Sequence, residues 1–286
     1  MTEQAAKTGA EPTVLSALEQ NFPPDRRILV DDLAIRVLPA GARVLVRLSK
    51  PVIGSLVRLA ERSSDRGMWG GLLCRKRWFD EQLLGSVGSV EQVVNLGAGL
   101  DTRLYRLPAL RSVLVWELDQ AGNIERKRRS FTRALGRIPA NIDLVAIDFD
   151  RESVADVLAR RGYDAGRRTF FIWEAVTQYL TEPALESTFR FLSGAAPGSI
   201  VAFTYVHQDF LDGKDLFGWK AGYDRFVRPH VFRHGMRPEG LPGELARWGY
   251  RLVEDLDYSR LADRYIPAGR DLTASALEHV VLAEKV

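Results

Sequence analysis

The residues most able to do chemistry in this chain stand where short apolar runs end, and they are glycines and carboxylates. The first such run leads into Asn95-Leu96-Gly97-Ala98-Gly99-Leu100-Asp101. Glycine has no Cβ, so a ligand can approach the backbone closely at Gly97 and Gly99, with Asn95, Ala98 and Asp101 beside it. About twenty residues further on, a second run ends Trp116-Glu117-Leu118-Asp119, where Glu117 or Asp119 can accept hydrogen bonds from ribose hydroxyls. A third ends Ile147-Asp148-Phe149, which offers a carboxylate for a ring amine and an aromatic face for the ring itself. The fourth ends Trp173-Glu174, an acid whose burial is costly unless a cation or donor meets it. Any one of these acids also suits a helix N-cap, and Gly-x-Gly alone also suits a plain turn. Their succession along consecutive runs points to a nucleoside.

Two nucleoside ligands compete for this pattern. A dinucleotide fingerprint wants a third glycine where the chain has Thr102, which weakens a pyrophosphate reading. S-adenosylmethionine has no phosphate, needs close backbone approach, and ends in an ammonium and a carboxylate that Asp101 and an arginine from elsewhere could meet. Candidate acid–base groups follow the fifth run in Thr204-Tyr205-Val206-His207, with Tyr205 and His207 placed to face the cleft if the strand ends there. His230 and His234 are later candidates, and a plain hydrogen-bonding role competes at each histidine. The stretch 210–243 carries Phe217, Trp219, Tyr223, Phe226 and Phe232 with Arg225, Arg228 and Arg233, which suits the roof of a pocket for a planar or hydrophobic acid. The histidines and lone cysteine form no metal-ligand spacing, so no metal is expected.

The elements that must position these residues change character near Val87. Before it, 14–21 and the apolar positions Val52, Ile53, Leu56, Val57, Leu59 and Ala60 recur at helical spacing. This predicts a helical cap over residues 1–86, with 1–13 a frayed tail. After it, runs at 92–96, 113–117, 142–147, 169–173 and 200–205 alternate with helical segments at 122–137, 151–161 and 182–192. That rhythm predicts an α/β core over 87–286 with a mostly parallel sheet, helices on both faces and a lid insertion at about 206–243. Runs at 251–254 and 279–283 are expected to close one edge as a hairpin-like pair, making seven strands.

Composition narrows the function classes. Apolar residues make up 46% of the 286, charged residues 27%, and the formal net charge is +3, so bulk charge does not argue for nucleic acid. The basic run Arg126-Lys127-Arg128-Arg129 reads as a solvated helix face. The most apolar stretch, 44–60, is interrupted by Arg47, Lys50, Pro51 and Arg58 and does not read as a membrane span, so no membrane partner is expected. With Cys74 alone there is no internal disulfide, which fits a reducing, cytoplasmic location, and the thiol reads as a small buried hydrophobe.

On these residues the chain resembles the leucine carboxyl methyltransferase family, including its actinobacterial small-molecule and polyketide carboxyl methyltransferases. The resemblance covers about 74–180, more weakly to the end, and is most specific in Gly97-Ala98-Gly99-Leu100-Asp101-Thr102-Arg103. Arg75-Lys76-Arg77-Trp78-Phe79-Asp80, Glu117-Leu118-Asp119-Gln120 and Trp173-Glu174-Ala175-Val176-Thr177-Gln178-Tyr179-Leu180 resemble three further family segments. The resemblance implies a Rossmann-like class I methyltransferase fold and a small-molecule O-methyltransferase, acting on a carboxyl or phenolic group, with S-adenosyl-L-methionine as donor. By it Arg75, or Arg77 in its place, would hold the donor's carboxylate, Gly97 its methionine backbone, Asp119 its ribose, Asp148 and Phe149 its adenine, and Glu174 its amino end. Ala175 stands where relatives often have glycine and Gln178 where many have an apolar residue, which bears on the acceptor. Methylation of a protein C-terminus or of RNA, as elsewhere in the family, and nicotinamide binding are the alternatives.

Overall fold

The computed structural model describes residues 11–62 and 66–286. Helices α1 (Glu11–Glu19), α2 (Ala34–Val37), α3 (Ala40–Leu48), α4 (Ile53–Glu61) and α5 (Met68–Ser86) precede the first strand. The expected frayed tail is divided: residues 1–10 lie outside the described residues, whereas residues 11–13 open α1. Thr13 is buried there, and its hydroxyl donates to the Leu100 carbonyl at 3.1 Å.

The strands are β1 (Gln92–Leu96), β2 (Leu114–Asp119), β3 (Ile142–Ala146), β4 (Thr169–Trp173), β5 (Ile200–Val206), β6 (Tyr250–Asp257) and β7 (Glu278–Lys285). They form one seven-stranded sheet in the order β3-β2-β1-β4-β5-β7-β6. The first five are parallel, and β7 runs antiparallel to both β5 and β6. The closing pair is thus antiparallel at one edge, as the runs suggest, but not a hairpin. A helix at Tyr258–Tyr265 separates its strands, and β7 lies inside β6.

Period-two alternation explains why the parallel strands read as mostly apolar runs. Val93, Phe170, Ile172, Ala202 and Val280 enter one apolar cluster with Leu73, Cys74 and Trp78 of α5. Their neighbours Val94, Phe171, Trp173, Val201 and Val281 enter another on the opposite face. Both faces are covered, so no position needs a polar residue. Burial pushes the Cys74 thiol up to about 12, which suits a space-filling role.

Further helices follow the strands: α6 (Arg103–Arg106), α7 (Ala121–Leu135), α8 (Val154–Ala159), α9 (Glu182–Ser193), α10 (Gln208–Leu211), α11 (Lys220–Gly222), α12 (Leu241–Arg247) and α13 (Tyr258–Tyr265). No helix among the described residues is long and apolar enough to cross a membrane. Among the described residues there is also no cluster of side chains that would hold a metal ion.

The run 126–129 is not wholly a solvated face, because Lys127 of α7 is fully buried and its ammonium meets Glu117 at 2.6 Å. Burial pushes the Glu117 carboxyl above its ordinary value, against the opposing pull of Lys127 and a hydrogen bond from Tyr105. Removing one member of a buried pair strands the other charge, at a cost of about 3–5 kcal/mol. Urea denaturation of Lys127→Ala is therefore expected to show a loss of about that size, with Glu117→Gln/Lys127→Met recovering much of it. Equal losses in the single and double variants would contradict the pairing.

Candidate functional site

The strand order reverses between β1 and β4, which lie side by side while the chain winds outward from each. A crevice at the carboxyl ends of the strands is expected at such a switch point. A cavity of about 550 Å³ opens there, lined by the glycine loop 97–101, Asp119, Glu174 and residues of α1, α5 and the 219–232 stretch.

The loop's geometry follows from its sequence. Gly97 sits at φ +83, and a Cβ there would meet Val176 Cγ2 at 2.3 Å, so only glycine fits. The backbone N–H groups of Gly97 and Ala98 both donate to the Leu118 carbonyl. Asp119 completes the turn, with Oδ2 accepting from the Gly99 N–H at 2.7 Å and Oδ1 from the Gln120 N–H at 2.7 Å and Asn123 Nδ2 at 2.8 Å. A carboxylate offers about four acceptor positions, so capacity remains for a ligand hydroxyl.

Beside the loop lies a buried cluster of charges. The Arg75 guanidinium, 2% exposed, reaches Glu174 at 2.8 Å through Nε, and through Nη1 Tyr258 Oη at 3.2 Å and Glu278 at 3.3 Å. Arg103, fully buried, bridges Glu174 at 2.7 Å, Asp101 at 2.6 Å and Asp80 at 3.1 Å. Arg106 adds a second ion pair to Asp80. Burial would raise the Glu174 carboxyl, but Lys76, Arg103 and Arg75 outweigh it and hold that group well below the usual carboxylate range. Asp101 is likewise held low, burial being opposed chiefly by Arg103 and Lys76. The Lys76 ammonium approaches Asp101 and Glu174 only to 3.9 and 4.0 Å, so it is the cation best placed to take a further anion. Its helix position gave no separate signal in the sequence, where Arg75 and Arg77 drew the assignment. The cluster therefore presents both an anionic and a cationic partner at one end of the cavity.

The other end is apolar and aromatic. Tyr179, Trp219, Phe226 and Phe232 line it with Met68 and Leu72. The Phe226 and Phe232 rings stack at 4.9 Å, and Tyr179 meets Phe232 edge-on at 5.3 Å. Arg225 also lines this end, with Nη2 3.5 Å from Glu11 of α1. Gln178 is 3% exposed, and its Oε1 has no hydrogen-bond partner among the described residues. Ala175 occupies φ +56, a left-handed conformation that a glycine adopts at lower cost, and its N–H donates to Thr204 Oγ1.

The structure thus brings Arg75, Asn95, Gly97, Ala98, Gly99, Asp101, Asp119 and Glu174 to one cavity and leaves others away from it. Arg77 turns outward to pair with Glu81. Glu117 lies behind the loop with Lys127, Tyr105 and Asn95. Asp148 accepts from the Asp150 N–H in its own turn, and Phe149 is buried in the apolar cluster with Val145, Ile147 and Val154. The acid–base candidates also fall outside. Tyr205 is buried with its hydroxyl donating to Asp255 at 3.0 Å, and burial pushes its phenol well above the ordinary range. His207 caps α10, its Nδ1 accepting from the Asp209 N–H. His230 is exposed, and His234 lines a separate groove beside α12. Arg228 and Arg233 are likewise not among the cavity-lining residues.

The family model described as leucine carboxyl methyltransferase matches residues 10–193. A protein of Mycobacterium avium (strain 104), assigned by name to the S-adenosyl-L-methionine-dependent methyltransferases, is 30% identical over 226 residues, covering 77% of this chain and 73% of its own. One of Mycolicibacterium paratuberculosis, assigned alike, is 30% identical over 226 residues, with 77% and 81% covered. Among solved structures, a protein of Thermobifida fusca carrying a methyltransferase assignment superposes with a TM-score of 0.57 at 16% identity, over 88% of this chain and 94% of that one. That last likeness is one of fold.

The depressed carboxyl of Glu174 ties stability to pH. Its folded value lies below the ordinary 4.5, so its contribution is complete above that pH and is lost as pH falls through the folded value. In urea denaturation across an acid series, the wild-type chain is expected to lose stability below about pH 4.5, and Glu174→Gln to lose less over the same window. Parallel acid limbs for the two proteins would refute the assignment.

Proposed function

Because the chain belongs to the leucine carboxyl methyltransferase family, we propose that it methylates an oxygen of a small organic acid, most directly a carboxylate, with S-adenosyl-L-methionine as donor. The broader activity, S-adenosyl-L-methionine-dependent methyl transfer, rests on the family match and the relatives.

The donor set of the cavity fits that molecule. A zwitterionic amino-acid end needs an anion and a cation together, which Glu174 and Asp101 with Lys76 and Arg75 supply. Asp119 retains acceptor capacity for a ribose hydroxyl, and the backbone of 97–99 permits close approach. The bound sulfonium supplies an already activated methyl group for in-line displacement, so alignment and exclusion of water are the protein's main tasks.

What carries the carboxylate reading is the make-up of the aromatic end. No histidine or cysteine is among the described residues lining the cavity, while Arg225 offers a cation beside Trp219 and Phe226. A carboxylate is ionised at neutral pH and needs no base, whereas an alcohol or phenol gains from one. Gln178 adds a buried amide end that a hydroxyl or N–H of the acceptor would satisfy. The walls come from α1 and the 219–232 stretch, which act together as the lid over the acceptor.

Calorimetric titration with S-adenosylhomocysteine is expected to give micromolar or tighter binding, with none for NAD. Asp119→Ala should weaken it by roughly 1–3 kcal/mol through the lost charged hydrogen bond. Unchanged affinity in that variant would remove the ribose assignment. For the acceptor, aromatic and aliphatic acids, matched phenols and a peptide with a free C-terminus should be offered with labelled donor. Methyl esters of small acids are the expected products, and Arg225→Gln should raise KM for them about tenfold with kcat less affected. Ether products alone, or labelling of the peptide alone, would overturn the proposal.

A further inference from the structure

Helices α3 and α4 bury few of their apolar side chains and leave others exposed on a second side. On α3, Val46 packs inward with Ala17, Ala34 and Leu38, and on α4, Ile53 and Val57 pack against the main core. Their other sides hold Val44, Leu45, Leu48, Leu56 and Leu59, with Val52 in the turn between the helices, all exposed, Leu45 at 70% and Leu48 and Leu59 at 68%. They recur at helical spacings of three and four and so form stripes rather than scattered points. A lone exposed leucine means little, but a run of them on adjoining helices marks a surface meant to be covered.

Charge identifies the cover. From Leu33 to Ala60 the sequence contains no Asp or Glu, while it contains Arg36, Arg43, Arg47, Lys50 and Arg58. Arg47, Lys50 and Arg58 are exposed, and among the described residues none of the three forms an ion pair with a carboxylate. A second copy of this face would bring cation against cation, which disfavours self-association. The complementary partner is anionic at its surface and apolar just beneath, which describes a bilayer with acidic headgroups. The cations at 47, 50 and 58 that keep 44–60 from spanning a membrane are well placed for lying on one.

We propose that the α3–α4 face is a peripheral membrane-docking surface, its leucines entering the headgroup boundary and its arginines and lysine meeting anionic lipid. Helix α1 links this face to the cavity. Its Val14 packs with the cluster around Val46 and also lines the cavity wall, so docking sets the acceptor end one helix away from the lipid. The inference does not rest on the acceptor reading, since binding is measured without methyl transfer.

The test is cosedimentation of the full chain with vesicles of phosphatidylcholine alone and of phosphatidylcholine mixed with phosphatidylglycerol. Binding is expected only to the mixed vesicles and should decline with added salt. Leu45→Asp/Leu59→Asp should weaken it by about tenfold or more. Arg47→Gln/Lys50→Gln, which alters only exposed side chains, should weaken it by about tenfold. Both variants should keep the wild-type melting curve and S-adenosylhomocysteine affinity, and if the aspartate variant misfolds, the glutamine variant carries the test. Failure to bind mixed vesicles, equal binding to neutral ones, or unchanged binding in the glutamine variant would overturn the proposal. So would a dimer that the leucine substitutions dissociate, or stable capture of an acidic protein by a chain that ignores vesicles.

Discussion

The constraint on which the rest of the molecule depends is mutual satisfaction of buried charge at the end of β4. Arg75 and Arg103 are taken wholly out of water, and each is tolerable only because carboxylates from separate parts of the chain converge on it. Those carboxylates come from α5, the glycine loop, the end of β4 and the start of β7. Displacing any one of these elements leaves a buried guanidinium short of a carboxylate, and breaking a buried pair outright costs about 3–5 kcal/mol, a large share of a typical total stability of about 5–15 kcal/mol. The cluster therefore fixes where α5 and the loop sit relative to the sheet, and so fixes the polar end of the cavity.

The opposite end is held far less tightly. Its link between α1 and the aromatic stretch is the Arg225–Glu11 pair, with side chains 56% and 55% exposed, and pairs so open to water contribute little. Beyond that pair the aromatic stretch is held by ring contacts among Tyr179, Phe226 and Phe232, by the bond from Trp219 Nε1 to the Arg66 carbonyl, and by an apolar cluster with Val206, Phe210 and Leu277. On the proposed function the tightly paired end would hold the constant donor and the aromatic end the acceptor, so that the acceptor wall could change its side chains without disturbing the buried charges.

The strands were legible because both faces of the parallel sheet are covered, which makes each a short, mostly apolar run. The glycine loop, Asp119 and Glu174 were legible for the same reason, since a polar residue at the end of such a run has few purely structural uses. Charge pairing was not. Lys127 stands in a basic run that looks wholly solvated, and its burial depends on Glu117 of the preceding strand, a relation between positions ten residues apart that composition does not reveal. Helix phase decided among Arg75, Lys76 and Arg77, and α5 is apolar on enough sides that its buried face cannot be found by counting. Asp148 and Phe149 draw their assignment from a strand end and from the family resemblance, yet the cavity opens beside β1 and β4 and neither residue is among those that line it.

The fate of Tyr205 and His207 says most about the chemistry. Placing a base at the end of β5 assumes that every strand end faces the same crevice. The crevice belongs to the switch point between β1 and β4, and β5 lies one strand beyond it, against the antiparallel β7. There Tyr205 stacks on His279 at 4.7 Å and gives its proton to a hydrogen bond with Asp255, which pairs with His279 in turn. Tyr205, Asp255 and His279 thus satisfy one another, away from the residues that line the cavity. On the proposed function, an acceptor end lined by aromatic rings and an arginine, with no histidine among the described lining residues, is the arrangement expected for a nucleophile that arrives already ionised.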